Sequence, residues 1–211
     1  VSELETIKLA LGDKISNIAW DLDGWVILLK DSNISNLKVS RRLVGISFDW
    51  EWHFVTPLII REEVDEAGLR LYREMKRREV QIKRRGILRY SYEWVTGELL
   101  KRVFPEITPE NDLLTLLNRD ENLQRLLKRS SIDELYINTY FELGGATLSD
   151  ETVRKYYESP TMVGWLITAI KGPGSEWRFG PIVKRIYELL DYLAGKLLGF
   201  SRELESRLAF L

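Results

Sequence analysis

The sequence predicts an α+β fold, with antiparallel β-hairpins in the N-terminal half and a helix-rich C-terminal half. Three observations carry this expectation. Asp23-Gly24 stands between two apolar, β-favouring runs at 15–21 and 25–30, the strongest short-range hairpin signal. Phe48, Trp50, Trp52 and Phe54 alternate with Ser47, Asp49, Glu51 and His53, so a strand there is aromatic on one face and polar on the other. After Pro181, the residues Ile182, Val183, Ile186, Leu189, Leu190, Leu193 and Leu197 form an apolar stripe at helical spacing.

The remaining elements follow in chain order. Ser2 and Glu5 form a capping-box pattern ahead of Ile7 and Leu11, which predicts a helix over 3–11 ended by Gly12. Residues 37–41 read as a strand and 44–60 as one long strand or two in succession. A helix over 62–76 has acids in its first turn and bases in its last, the charge order that suits a helix dipole. Alternation at Val80 and Ile82, and again at Leu88, Tyr90, Tyr92 and Trp94, predicts a second hairpin turning near Arg85-Gly86.

Helices are expected over 96–104, from Thr108-Pro109 through Leu117, and over 120–129. A strand over 135–143 leads to Gly144-Gly145 and a return strand at 146–148. A helix at 150–158 precedes another that opens at Ser159-Pro160 and carries Trp165, Leu166, Ala169 and Ile170. Gly172-Pro173-Gly174 breaks the chain, Gly199 ends the helix begun at Pro181, and a last short helix follows from Arg202. The organisation is either a strand-rich part with one central helix over 1–96 and a helix-rich part over 97–211, or a single domain.

Within this order, Trp94, Gly97, Leu99, Leu117, Asn118, Asp120, Leu123 and Leu127 form a pattern of strand, helix and leucine-rich helix. The stretch 94–143 resembles uncharacterised archaeal domains in these residues and departs from them by an insertion at 104–111. The resemblance implies the same segmentation and no activity.

Composition narrows the function classes. Apolar residues make up 45% and charged residues 30% of 211, which fits a packed core under an ionic surface and excludes a disordered chain. Lys and Arg number 31 against 32 Asp and Glu, so any site for a polyanion must be a local patch. With no cysteine there are no disulfides, thiolate metal sites or thiol nucleophiles. Few Met, many charged residues and no Cys point to a thermophilic source. The N-terminus lacks a signal-peptide pattern, and the most apolar run, 161–170, is about half the roughly 20 residues of a membrane span, so a cytoplasmic location is expected.

Three groups of residues are candidate sites. On one strand face Asp49, Glu51 and His53 offer two carboxylates and an imidazole at about 6.5 to 7 Å per step, a set suited to a divalent metal if Asp21 or Asp23 adds a fourth ligand. The same alternation is what a solvated sheet face requires. Arg70, Arg73, Lys76, Arg77, Arg78, Lys83, Arg84, Arg85 and Arg89 form the strongest local charge asymmetry, and a hairpin that returns the chain would gather them against phosphates. Their alternative is a helix end and hairpin tip paired with nearby acids. Leu204, Leu208 and Leu211 either finish the chain's own core or present a face to a partner.

Glycine-rich 172–175 lacks the Lys of a phosphate loop, and no serine stands in a nucleophile elbow. The sequence therefore predicts a non-enzymatic protein-interaction or self-association module, needing no cofactor and acting through the C-terminal helices or an exposed sheet edge. Nucleic-acid binding by 70–89 is the second reading, and a metal-dependent enzyme such as a nuclease the third.

Overall fold

Eight β-favouring segments pair into one antiparallel sheet in the computed structural model, which describes residues 2–44, 49–140, 149–172 and 179–211. The strands are β1 (Ile15–Asp21), β2 (Gly24–Leu29), β3 (Asn36–Val44), β4 (Asp49–Arg61), β5 (Val80–Arg85), β6 (Ser91–Thr96), β7 (Glu134–Thr139) and β8 (Val163–Lys171), in the order β1-β2-β3-β4-β8-β7-β5-β6. The helices are α1 (Glu3–Leu11), α2 (Glu66–Lys76), α3 (Glu98–Val103), α4 (Asp112–Asn118), α5 (Glu121–Ser130), α6 (Asp150–Glu158) and α7 (Phe179–Leu208). A fold with hairpins confined to the N-terminal half is thereby overturned, because one sheet spans both halves and its central pair joins β4 to β8.

The expectation failed at β8. Trp165, Leu166, Ala169 and Ile170 lie on a strand and not on the expected helix, because a run buried on both faces carries no period of two, and a short buried helix and a buried strand then read alike. Here Val163, Trp165, Ile167 and Ala169 enter the core, while Leu166 and Ile170 on the other face are also covered. Ser159-Pro160 closes a helix instead of opening one: Ser159 is the C-cap of α6, and Pro160 cannot continue it. Thr108-Pro109 likewise opens no helix, since α4 begins at Asp112 and the Glu110 N–H donates to the Arg77 carbonyl at 3.0 Å.

Other elements fall where their local chemistry puts them. The Ser2 capping box starts α1, with Ser2 Oγ accepting from Glu5 N–H. Asp65, Asp120 and Ser149 accept N–H bonds at the starts of α2, α5 and α6. The first hairpin turns at Leu22-Asp23, where Leu22 takes φ 49°, while Gly24 already lies in β2. Gly24 answers to the neighbouring strand, because a Cβ there would sit 2.6 Å from the Val39 carbonyl oxygen.

One face of the sheet is lined by Ile27, Val39, Phe54, Ala169, Ile167, Leu135, Ile137, Val80 and Trp94, and α1, α2, α5 and α7 form the layer that completes this core. Helix α7 runs 30 residues without a break at Gly199, about 45 Å at 1.5 Å per residue. At Gly195 it meets the loop after β2: a Cβ would lie 3.0 Å from Asn33 Nδ2, and Asp191 Oδ1 accepts from Ser32 Oγ and Asn33 N–H, each at 2.7 Å. Deep in the layer, Trp165 Nε1 donates to Ser201 Oγ at 2.8 Å. The return strand expected at 146–148 and the break at Pro173-Gly174 lie outside the described residues.

Gly164 sets the spacing of the central pair. A Cβ on it would stand 2.0 Å from the Leu58 carbonyl oxygen, so β4 and β8 close only over a glycine. Gly164→Ala is expected to cost at least ~3 kcal/mol, at or beyond the upper end of ordinary overpacking, because the obstacle is backbone. Urea denaturation checks it, and a loss below ~1 kcal/mol would contradict the close approach.

Candidate interaction surfaces

The basic residues of 70–89 do not share a surface. Lys76 is the last residue of α2 and is wholly buried, its Nζ 2.9 Å from Glu79 Oε1 and 3.2 Å from Thr139 Oγ1. Arg78 is buried as well, donating to Asp112 at 2.8 Å and Glu74 at 2.9 Å. Arg77 lies between Glu74 and Glu110 at 3.8 and 3.9 Å. Arg70 and Arg73 are exposed on α2, while Lys83, Arg84, Arg85 and Arg89 are exposed on the β5–β6 hairpin. The helix end and the hairpin tip occupy opposite ends of β5, five steps of about 3.3 Å apart, so these cations are not gathered on one surface as the sequence suggests.

Burial of the Lys76–Glu79 pair creates a polar knot inside the α2–β7 junction. Glu79 Oε1 also accepts from the Thr139 N–H at 2.9 Å and its hydroxyl at 2.8 Å, and Tyr72 and Phe104 close over the cluster. Desolvation drives the Tyr72 phenol pKa upward, so it stays protonated. From the sequence alone Lys76 is expected as a surface cation. Its opposite charge three residues on, beside apolar Val80, was the available signal.

On the opposite sheet face His53 Nε2 lies 2.8 Å from Glu51 Oε1, and Cα registers run from Ser40 through His53 and Ile170 to Glu134. Burial first, and Arg42 second, lower the His53 pKa against the pull of Glu51. The ring is therefore neutral at pH 7 and donates to the carboxylate. Asp21 and Asp23 do not join this group: both pair with Lys38, at 3.9 and 2.7 Å, and Asp21 is three strand spacings, about 14 Å, from His53. The side chain of Asp49 lies outside the described residues. Among the described residues no group of three His, Asp or Glu is placed to hold a metal ion.

The C-terminal leucines separate. Leu204 is buried in the core, Leu208 is half-buried against it, and Leu211 is 95% exposed beside exposed Phe210. Of the tryptophans, Trp52, Trp94 and Trp165 belong to the core.

The sequence predicts an exposed sheet edge and a basic hairpin tip, but not which edge is capped or that the tip is apolar. At the β6 edge, Asn118 of α4 accepts from the Trp94 N–H at 2.8 Å and donates to its carbonyl at 3.1 Å. Gln124 of α5 does the same to Tyr92, at 3.4 and 2.5 Å. Two side-chain amides thus replace a ninth strand. The β1 edge carries no such cover among the described residues, since Ile18 N–H meets only the side chain of its neighbour Asn17 at 2.9 Å. Trp20 and Leu22 beside it are 54% and 89% exposed. At the tip of the β5–β6 hairpin, Ile87 and Leu88 are 91% and 96% exposed. An apolar pair directly after Gly86 was the signal there, whereas nothing local marks Asn118 and Gln124 as edge caps.

Compared with known proteins, the chain matches no family model, no curated protein and no solved structure. The resemblance of 94–143 to archaeal domains gains no support from these comparisons, although its residues have identifiable work: Asn118 caps an edge and Asp120 caps α5 while holding Tyr192 and Lys196.

Removing one charge of the buried pair leaves the other stranded, so Lys76→Met is expected to cost ~3–5 kcal/mol, and Lys76→Met with Glu79→Leu considerably less, by urea denaturation. For His53, the folded pKa lies below the unfolded value, so the unfolded chain binds the proton first. Stability should fall as pH drops below about 6.5 and level off once the folded pKa is passed. Denaturation midpoints of the parent should show that slope and those of His53→Gln should lose it.

Proposed function

We propose that this protein is a non-enzymatic association module whose docking element is the free edge of β1. The observation that carries the reading is the asymmetry of the sheet: one edge is sealed by Asn118 and Gln124, and among the described residues nothing covers the other. An open strand edge is a row of unpaired N–H and C=O groups that another strand can take up, and most proteins blunt such edges with charge, Pro or a covering element. Asp21 is the sole charge in β1 and lies at its end. A bulge at Ile15–Asn17 leaves the run from Asn17 to Asp21 regular.

Bonded and non-bonded positions alternate along an antiparallel pair, and Asp21 opposite Gly24 closes the two-residue turn. Asn17, Ala19 and Asp21 therefore direct their backbone groups to β2, and Ile18 and Trp20 direct theirs outward. The strand is self-complementary about Ile18. A second copy running antiparallel places Ile18 against Ile18, Asn17 against Ala19 and Ser16 against Trp20, with no like charges opposed. Such a contact is isologous and closes as a dimer with one continuous sheet.

Light scattering coupled to size exclusion over a concentration series is expected to give a dimer. Ile18→Pro removes an outward N–H, which an edge strand tolerates, and Ala19→Lys adds an edge charge. Each should shift the protein to monomer with an unchanged circular dichroism spectrum. A parent that stays monomeric throughout, or a dimer indifferent to both substitutions, removes the reading.

A further inference from the structure

The β5–β6 hairpin combines three features at its outer end. From Val80 through Tyr92 the chain holds Lys83, Arg84, Arg85 and Arg89 and no acid. Ile87 and Leu88 stand almost fully in water at the turn, ahead of these cations. The ribbon also leaves the sheet: among the described residues β5 pairs with β7 only at Val80 and Gln81, and from Ile82 onward with β6 alone. About four residues, roughly 13 Å, then extend past the β7 pairing.

The projection is held in place at its base. The Tyr92 hydroxyl, its pKa raised to about 12 chiefly by burial, donates to the Ile132 carbonyl at 2.9 Å, and Gln124 holds the Tyr92 backbone. Gly86, at φ 86°, lets the turn close where a Cβ would lie 2.6 Å from the Arg89 carbonyl oxygen. Two aliphatic side chains are therefore presented on a fixed mount, and no ordering of the ribbon is needed on contact.

We propose that this tip docks the protein on an anionic lipid surface, with Ile87 and Leu88 entering the boundary between headgroups and acyl chains. Lys83, Arg84 and Arg89 then lie at the level of the lipid phosphates, while Arg85 remains with Glu93 at 2.6 Å. A bilayer accounts for both halves of the feature, because it desolvates aliphatic side chains and carries fixed negative charge behind them. Nucleic acid accounts for one half. A phosphate backbone leaves Ile87 and Leu88 in water, and wedging them into a base step costs unstacking. Base stacking needs an open aromatic face, yet Arg84 lies 3.8 Å over the Tyr90 ring and Tyr92 meets Tyr90 edge-on at 5.6 Å. Among the described residues no helix is long and apolar enough to cross a membrane, so the contact is peripheral.

The test is co-sedimentation of the full chain with vesicles of phosphatidylcholine alone and of equal parts phosphatidylcholine and phosphatidylglycerol, in low and high salt. Binding is expected to the mixed vesicles, weakened by salt, with little binding to phosphatidylcholine. Ile87→Ser with Leu88→Ser should lower partitioning at least ~10-fold, and each of Lys83→Ala, Arg84→Ala and Arg89→Ala about 5-fold. A parallel arm measures binding to a mixed-sequence DNA duplex. No binding to the mixed vesicles overturns the proposal, as does vesicle binding that survives the double serine change. Tighter binding to duplex than to vesicles, equal in parent and double serine variant, overturns it in favour of a phosphate-backbone contact.

Discussion

The pairing of β4 with β8 is the constraint on which the rest of this structure depends. Without it the chain has two separate sheets, a meander of β1 to β4 and a group of β7, β5 and β6, each with an open apolar edge. Strand β8 closes both at once by accepting β4 on one side and β7 on the other. Its composition fits that position: nearly every residue is buried, and Gly164 removes the one side chain that would hold the two backbones apart. Helix α7 then has a continuous surface to cover, and its Ser201 receives the indole N–H of Trp165 from the middle of β8.

Local chemistry made much of this legible in advance. The helix starts at Ser2 and Asp120 announce themselves because a capping side chain lies three residues from the group it satisfies, whereas the helix expected from 62 starts at Glu66 behind its Asp65 cap. Both hairpins are visible for the same reason, as their information sits in the turn and the flanking alternation. Strand β8 was illegible because its information is tertiary: burial on two faces erases the period that would distinguish strand from helix. The first hairpin was located correctly by Asp-Gly, yet Gly24 serves the approach of β3 and Leu22 bears the left-handed conformation. A correct inference there rested on the wrong residue.

Candidate sites were less legible than the fold, and charge shows why. Along the sequence, nine cations of 70–89 form one cluster, but Lys76 and Arg78 are interior, Arg77 is paired, and the others divide between a helix and a distant turn. Proximity in sequence is proximity in space only within an element. Glu51 and His53 share one strand face, and those two are in contact. The paired amides of Asn118 and Gln124 lie at the other extreme, since their roles exist only once α4 and α5 meet β6.

The late arrival of β8 has a consequence for the protein while it is being made. Roughly a hundred residues separate the end of β4 from the start of β8, and at 5–20 residues per second a ribosome takes about 5–20 s to cover them. For that interval the apolar side of β4, with Trp52, Phe54 and Leu58, has neither β8 beside it nor α7 over it.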